Sequence, residues 1–301
     1  MQSPLSATLD KLWPRWHQWI QLTRLNKPVG SYLLLWPMLW ALWVAAEGLP
    51  SIANLVIFTL GVFVMRSAGC VINDYADRHI DRHVKRTQDR PLTQGRIADR
   101  EALIGFVMLC LIGLLLVLMT NTLTLWLSLG GVALAALYPY MKRHTHLPQV
   151  FLGAAFSWAI PMAFAAQANE LTSLCWLLFI ANVCWTVGYD TIYAMVDRDD
   201  DLLIGVKSTA ILFGDLDVTM IAILYGMAHF CLLLTGSQLD AGWPFYLAWL
   251  IAGGYLWWQL RAIRSRERMA CLKEFLAAHW YGAIIWVGLV LNYALATPSL
   301  P

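Results

Sequence analysis

Apolar runs long enough to cross a lipid bilayer recur along almost the whole chain. A helix needs about 20 predominantly apolar residues to span ~30 Å of hydrocarbon. Hydrophobic residues make up 59% of the 301 residues and charged residues only 13%, about half the charged fraction of a soluble domain. The sequence therefore predicts an integral membrane protein.

The runs predict an all-α bundle of about nine transmembrane helices. A membrane β-barrel would need strands of alternating polarity, and the sequence has no such alternation. We expect residues 29–301 to form a single transmembrane domain, preceded by a segment 1–28 in which Leu12, Trp16 and Trp19 favour an amphipathic helix at the membrane surface. The predicted spans lie near residues 31–46, 52–73, 102–119, 123–141, 150–166, 173–196, 216–235, 243–262 and 276–296.

The distribution of Lys and Arg predicts the orientation of the bundle. Apart from Arg66, every Lys and Arg precedes the first span or lies at alternate connections, and the opposite connections have none. Short loops rich in Lys and Arg remain in the cytoplasm. We therefore expect a cytoplasmic N-terminus and a cytoplasmic face that carries the charged residues, including long capping segments near 78–101 and 197–215.

An acidic pattern follows the second span, in the stretch NDYADRHID. Asn73, Asp77 and Asp81 are spaced i, i+4, i+8, and Asp74 lies beside them. Because Gly69 is the only Gly or Pro between Arg66 and Arg90, the pattern predicts a helix that continues past the membrane edge with these side chains on one side. Carboxylates at this spacing repel one another unless a cation lies between them.

A second acidic pattern lies at the inner end of the sixth span. Asp190, Asp197 and Asp201 fall within ~40° of one another on a helical wheel. The sequence therefore predicts that two helices, distant in the chain, present acidic side chains to the same membrane face.

Side chains in and around these patterns match the needs of a metal-bound diphosphate. Carboxylate and amide oxygens without clustered thiols or imidazoles favour Mg²⁺, which commonly bridges a few carboxylates and substrate phosphates. Basic residues nearby would bind the remaining anionic oxygens. These are Arg82, Lys85, Arg86 and Arg90 after the first pattern, Lys142 and Arg143 after Tyr138, and Lys207 after the second pattern.

Simpler explanations compete with this interpretation. The basic residues are expected from membrane topology alone, and the acidic patterns could be salt-bridged helix ends. Arg66 differs because it lies about two turns inside the membrane edge on the face of Asn73, where a charge is costly without a partner. A functional or ion-pairing role is therefore favoured for Arg66.

Several blocks of the sequence resemble the UbiA superfamily of intramembrane prenyltransferases. The blocks are RLNKPVGSYLLLWP, RSAGCVINDYADRHID, DRPL with GRI, YPYMKR, and GYDTIYAMVDRDDD with GVKSTA. Their order and spacing agree with the family from about residue 24 to 214. Their sequences most resemble those of the bacterial members that prenylate 4-hydroxybenzoate in ubiquinone synthesis.

The resemblance implies a UbiA-type fold and a reaction. It implies Mg²⁺ on Asn73, Asp77, Asp81, Asp197 and Asp201, at the cytoplasmic mouth of a cavity that opens into lipid. A polyprenyl diphosphate would lose diphosphate there, and the ring carbon ortho to the hydroxyl of 4-hydroxybenzoate would attack the resulting allylic cation. The expected location is the bacterial inner membrane. The residues expected to assist are Arg82, Lys142, Arg143 and Lys207 at the diphosphate, Arg24 or Arg66 at the acceptor carboxylate, Asp190 or Asp197 as base, and Asp74 and Tyr138 at the substrates.

Two other functions remain open at this level. A homologous transferase could use another acceptor, such as haem, a naphthoate or a chlorophyllide. A cation-coupled transporter would also carry acids in the membrane, although transporters tend to place them near the midplane in broken helices. Nucleic-acid binding is not expected, since the net charge is only +2 and topology accounts for the basic residues.

Overall fold

A computed structural model describes residues 13–79, 81–83 and 87–295. Leu12, Lys85 and Arg86, which the sequence analysis singled out, lie outside these ranges, as does the rest of residues 1–12. Among the described residues every regular element is helical. The α-helices are α1 Trp16–Leu22, α2 Val29–Ala45, α3 Ile52–Asp77, α4 Asp99–Leu118, α5 Thr122–His144, α6 Pro148–Ser157, α7 Ala159–Ala168, α8 Ser173–Ile204, α9 Thr209–Phe213, α10 Asp217–Gln238, α11 Trp243–Ala262, α12 Arg268–Ala277 and α13 His279–Leu295.

Seven segments are long and apolar enough to cross a membrane, and they coincide with seven of the predicted spans. They are Ile52–Asp77, Asp99–Leu118, Thr122–His144, Pro148–Ala168, Ser173–Ile204, Thr209–Gln238 and Arg268–Leu295. The other two predicted spans correspond to α2, with 17 residues, and to α11, with 20 residues that include several Trp and Tyr. The all-helical membrane bundle is confirmed, whereas the total of nine spans and the cytoplasmic N-terminus stay predictions.

The span Pro148–Ala168 is interrupted at Trp158, where α6 ends and α7 begins. Pro161 has no N–H with which to bond the carbonyl of Ser157 four residues earlier, so the ladder of helical hydrogen bonds breaks at this point. The Trp158 indole Nε1 donates to the Leu127 carbonyl at 2.7 Å. The break is thus held against α5.

Packing is tightest around α8, the longest helix. The Trp185 ring of α8 contacts three other rings, those of Tyr189 on the same helix, Trp40 of α2 and Tyr281 of α13. All four side chains are fully buried. Trp40 also donates its indole N–H to the Gly282 carbonyl at 2.9 Å. This aromatic cluster fixes α8, and with it the acidic residues further along the same helix.

Ion pairs connect the basic segments that the sequence analysis assigned to one membrane face. Residues distant in the chain meet in these pairs, so the basic segments lie together at one end of the bundle. The pairs include Arg15–Glu101, Arg24–Asp74, Arg78–Asp99, Arg198–Asp217, Arg266–Asp217 and Arg268–Asp200.

Asp217, the first residue of α10, is fully buried and pairs with two arginines. Arg198 of α8 lies 3.1 Å from its carboxylate, and Arg266 lies 2.9 Å away. Removing one member of a buried ion network leaves the remaining charges uncompensated and is strongly destabilising.

We expect Asp217→Asn to lower the Tm of the detergent-solubilised protein by about 5 °C or more. Differential scanning fluorimetry measures the change. The matched control is Asp215→Asn, because the Asp215 side chain is exposed, and it should shift Tm by no more than about 2 °C. Equal shifts in the two variants would contradict a stabilising role for the Asp217 network.

Candidate active site

A polar cavity of about 160 Å³ lies between α3, α5 and α8 at the basic end of the bundle. Acidic, amide and basic side chains from both predicted patterns line it. Those lining residues are Asn73, Asp77, Asp81, Asp190, Asp197, Asp201, Arg90, Lys142 and Lys207, together with Tyr138, Tyr193, Gln149 and Ser208. The structure therefore brings the two acidic patterns to one cavity, as the sequence predicted.

The first acidic pattern is only partly helical. α3 ends at Asp77, and Asp81 lies in a separate 3₁₀ turn, residues 81–83. The prediction of a continuous helix through Asp81 is wrong. Arg78 donates to the Tyr75 carbonyl at 2.6 Å and Arg143 donates to the Ala76 carbonyl at 2.7 Å. These side chains satisfy carbonyls of the last helical turn, which would otherwise bond to a further turn.

Both carboxylates of the first pattern that line the polar cavity are ion-paired. Asp77 pairs with Lys142 of α5, and Asp81 pairs with Arg90 at 2.7 Å. Asp77 Oδ1 is buried and has no hydrogen-bond partner among the described residues. Burial raises the pKa of the Asp81 carboxyl, while Arg90 acts in the opposite direction. Salt bridges thus account for part of the site, as the simpler explanation of the acidic patterns expected, but they leave Asp77 Oδ1 without a hydrogen-bond partner among the described residues.

Asp74 is turned away from the polar cavity. Its buried carboxylate accepts from Arg24 at 2.8 and 2.9 Å, and Arg90 lies 2.9 Å from the same group. Asp74 therefore connects the N-terminal segment, α3 and the segment before α4. Since Arg90 also pairs with Asp81, Asp74 holds Arg90 at the edge of the polar cavity.

The second acidic pattern lies on one uninterrupted helix, as predicted. α8 extends to Ile204, so Asp190, Asp197 and Asp201 all line the polar cavity from a single helix face. The helix ends at Gly205, which adopts a left-handed conformation with φ of 72° that favours glycine. The predicted capping segment 197–215 is thus helical in its first part.

Lys207 is positioned by the short connection that follows Gly205. Its backbone N–H donates to the Lys142 carbonyl at 3.1 Å. The next helix, α9, begins with Ser208 as its cap, and the Thr209 N–H donates to Gln149 at 3.0 Å. These bonds place Lys207 and Lys142 side by side at the polar cavity.

A larger and mainly apolar cavity of about 1200 Å³ adjoins the polar one. Asn73, Arg90, Tyr138, Asp190 and Tyr193 line both, so the two cavities meet at these residues. Apolar side chains of α2 to α8 form most of the remaining wall. Such a shape accommodates a ligand with a charged head and a long apolar tail.

Arg66 lies inside the large cavity, together with Arg24 nearer its polar end. The Arg66 guanidinium lies over the Phe156 ring, 5.4 Å from its centroid. Its Nε is buried and has no hydrogen-bond partner among the described residues. Arg24, by contrast, already makes two bonds to Asp74. Arg66 is therefore the better placed of the two to bind an anionic group within the cavity.

Two of the four residues that the resemblance placed at the diphosphate do not line either cavity, whereas Arg90, predicted only as one of several basic residues after the first pattern, does. Arg82 is exposed on the 3₁₀ turn, and Arg143 is exposed and bonds the α3 carboxyl end. Arg90 lines both cavities instead. Its position in the DRPL block was the available signal. Gln149 and Ser208 carried no signal, because their roles depend on the packing of α6 against α8.

The polar cavity is a candidate magnesium site. Among the described residues, no three Asp, Glu, His or Cys side chains are close enough to hold a metal ion. The donor chemistry nevertheless fits, since five carboxylates and two amides share the cavity and Asp77 Oδ1 has no hydrogen-bond partner among the described residues. Lys142 and Arg90 hold Asp77 and Asp81 in ion pairs, so metal binding would exchange these contacts for metal ligation.

The sequence profile of the UbiA prenyltransferase family matches residues 34–286. The chain belongs to the UbiA family. It is a membrane-embedded UbiA protein, and the matched region covers both acidic patterns, the polar cavity and most of the wall of the larger cavity. The resemblance noted from the sequence blocks is confirmed.

Curated UbiA relatives are similar over nearly the full chain. The chain is 57% identical to 4-hydroxybenzoate octaprenyltransferase of Pseudomonas syringae pv. syringae (strain B728a) over 295 residues, which cover 98% of this chain and 100% of that protein. The enzyme of the same name from Pseudomonas fluorescens (strain Pf0-1) is also 57% identical, with the same coverage. Both relatives are thus named as the same enzyme.

Solved UbiA structures have the same fold. The apo structure of a UbiA homolog from Aeropyrum pernix K1 superposes with a TM-score of 0.76 at 25% identity, covering 87% of this chain and 97% of that one. A UbiA homolog from Archaeoglobus fulgidus bound to GPP and Mg²⁺ has a TM-score of 0.66 at 17% identity, covering 89% and 99%. The second likeness supports the fold alone.

Proposed function

We propose that this UbiA protein transfers an octaprenyl group from octaprenyl diphosphate to the ring carbon ortho to the hydroxyl of 4-hydroxybenzoate. The observation that carries the proposal is the junction of a polar cavity, lined by acids and bases, with an apolar cavity of about 1200 Å³. The full-length relatives named 4-hydroxybenzoate octaprenyltransferase support the choice of both substrates.

In this proposal, the diphosphate lies in the polar cavity and the prenyl tail lies in the apolar one. Lys142, Lys207 and Arg90 bind diphosphate oxygens, because all three cations line the polar cavity. Arg82 and Arg143 are not assigned to the diphosphate, since neither lines a cavity. The apolar wall excludes water, which would otherwise capture the allylic cation as an alcohol.

The acidic residues of the two patterns are proposed to hold Mg²⁺. Asn73, Asp77 and Asp81 would supply ligands from one side, and Asp197 and Asp201 from the other. When bound, Mg²⁺ neutralises charge on a diphosphate and assists its departure. The Mg²⁺ in the Archaeoglobus fulgidus structure is consistent with this assignment.

The acceptor is proposed to lie where the two cavities meet. Arg66 binds its carboxylate, since its side chain lines the larger cavity and its buried Nε has no hydrogen-bond partner among the described residues. Breakage of the donor C–O bond releases diphosphate and leaves an allylic cation, which Tyr138 and Tyr193 can stabilise through their ring faces. The ortho carbon forms the new C–C bond, and Asp190 accepts the proton that this carbon loses.

The basic end of the bundle is proposed to face the cytoplasm, with the protein in a bacterial inner membrane. Lys and Arg of five distant segments meet there in ion pairs, namely Arg24, Arg90, Lys142, Arg198 and Arg266, as the positive-inside rule requires of a cytoplasmic face. The soluble substrate, 4-hydroxybenzoate, would then enter from the cytoplasm, and the soluble product, diphosphate, would leave to it.

Acceptor choice tests the proposed function. Membranes containing the protein are incubated with labelled octaprenyl diphosphate, Mg²⁺ and one acceptor at a time, and products are separated by chromatography. We expect labelled product with 4-hydroxybenzoate and at least about a hundredfold less with a dihydroxynaphthoate, since a site built for one polar arrangement strongly rejects a mismatched one. Product with the naphthoate alone would overturn the choice of acceptor.

A further inference from the structure

The wall of the large cavity that α3 contributes alternates between large and minimal side chains. One row of residues with a spacing of four faces the cavity, namely Ile57, Gly61, Met65, Gly69 and Asn73. Residues four apart lie above one another on a helix. Two recesses therefore open in the wall, one at Gly69 and a deeper one at Gly61.

Helix packing does not explain these two glycines. A Cβ atom built on Gly61 or Gly69 meets no described atom within 4 Å. The contrast is Gly113 of α4, where a built Cβ would lie only 2.7 Å from Met65 Sδ, so the space beside Gly113 is already filled by a side chain of α3. Glycine also lowers helix stability by about 1 kcal/mol relative to alanine. The space beside Gly61 thus belongs to the cavity.

Distances along α3 relate the recesses to the length of a prenyl chain. At 1.5 Å per residue, Gly69 lies about 12 Å and Gly61 about 24 Å from Asp77. An isoprene unit has four main-chain bonds and advances at most about 5 Å, so a geranyl chain reaches about 10 Å and an octaprenyl chain about 40 Å when extended. A prenyl chain whose diphosphate lies at Asp77 therefore extends past Gly61 only if it has many isoprene units.

We infer that Gly61 determines the length of prenyl donor that the protein accepts, by leaving space for the distal isoprene units of a long tail. This inference rests on the proposed function and extends it to the choice of donor. Gly69 lies within reach of a geranyl donor once the length of its diphosphate is added to that of the chain, so donors of every length must pass it. The two positions therefore differ in what a larger side chain would exclude.

The test compares kcat/KM for geranyl and octaprenyl diphosphate, with 4-hydroxybenzoate as acceptor, in purified wild-type protein and in Gly61→Leu. We expect Gly61→Leu to lower kcat/KM with octaprenyl diphosphate about tenfold or more relative to the value with geranyl diphosphate, because added side-chain volume opposes only the longer tail. Gly69→Leu should lower kcat/KM for both donors to a similar extent.

The matched control is Gly254→Leu on α11, where a built Cβ also meets no described atom within 4 Å and the residue is exposed outside both cavities. It should leave the ratio between the donors unchanged. Equal losses with both donors in Gly61→Leu, or undiminished octaprenyl transfer, would overturn the inference. If the wild-type protein used neither donor, the proposed function would fail first, and the inference would fail with it.

Discussion

Replacing Asp77 or Asp197 with alanine is expected to abolish prenyl transfer while leaving the protein folded in the membrane. Each carboxylate lines the polar cavity from a different helix, α3 or α8. In the proposed function each holds metal against the diphosphate, so either loss removes charge stabilisation at the leaving group. We expect turnover to fall on the order of a thousandfold. A radiolabelled transfer assay with 4-hydroxybenzoate measures it.

The effect on folding can be separated from the effect on chemistry. Size-exclusion chromatography and Tm in detergent should remain close to wild type for Asp197→Ala. Asp77→Ala removes the partner of Lys142, so Asp77→Asn, which retains the side-chain shape, provides a second variant. Glu170→Ala serves as the control, because Glu170 is an exposed acid at a connection without basic residues. Normal turnover in both aspartate variants would leave these acids as salt-bridge partners only.

Removal of divalent metal is expected to stop the reaction as completely as these substitutions. Excess EDTA added before the donor should reduce turnover at least about a hundredfold. Added Mg²⁺ should restore it, since carboxylate and amide oxygens favour this ion. Transfer is measured before chelation, after chelation and after Mg²⁺ is returned.

Donor binding provides an independent readout of the same prediction. The polar cavity contains more acidic than basic side chains, so a diphosphate should bind weakly until metal offsets the acidic charge. We expect isothermal titration with geranyl diphosphate to give a Kd at least about tenfold weaker in EDTA than in Mg²⁺. Full activity and unchanged affinity in EDTA would exclude metal-dependent chemistry.

Much of the fold follows from properties that are local in the chain. Seven of the predicted spans became membrane-length helices, because twenty apolar residues in succession can satisfy their backbone in lipid only as a helix or in a closed barrel. The shared position of Asp190, Asp197 and Asp201 on one face of α8 was also predictable, since helix geometry alone places them together. Both inferences needed only neighbouring residues.

Contacts between distant segments were less predictable. The end of α3 at Asp77 depends partly on Arg143, which is 67 residues from the carbonyl of Ala76 that it bonds. Asp74 was expected to lie beside Asp77, but Arg24, 50 residues away, draws it toward the larger cavity. Arg82 and Arg90 both follow the acidic pattern, and although Arg90 lies in the DRPL block, it took the structure to show that Arg90 reaches Asp81.

Properties read from the sequence were enough to identify a helical membrane bundle with two acidic patterns and with basic residues at alternate connections. Hydropathy and helical period act within about 20 residues, so they can be read along the chain. Tertiary structure alone decided which bases meet which acids, that Arg66 faces a cavity, and that the space beside Gly61 is open. Those features depend on the distances between helices. These distances are determined by the packing of side chains that are far apart in the sequence.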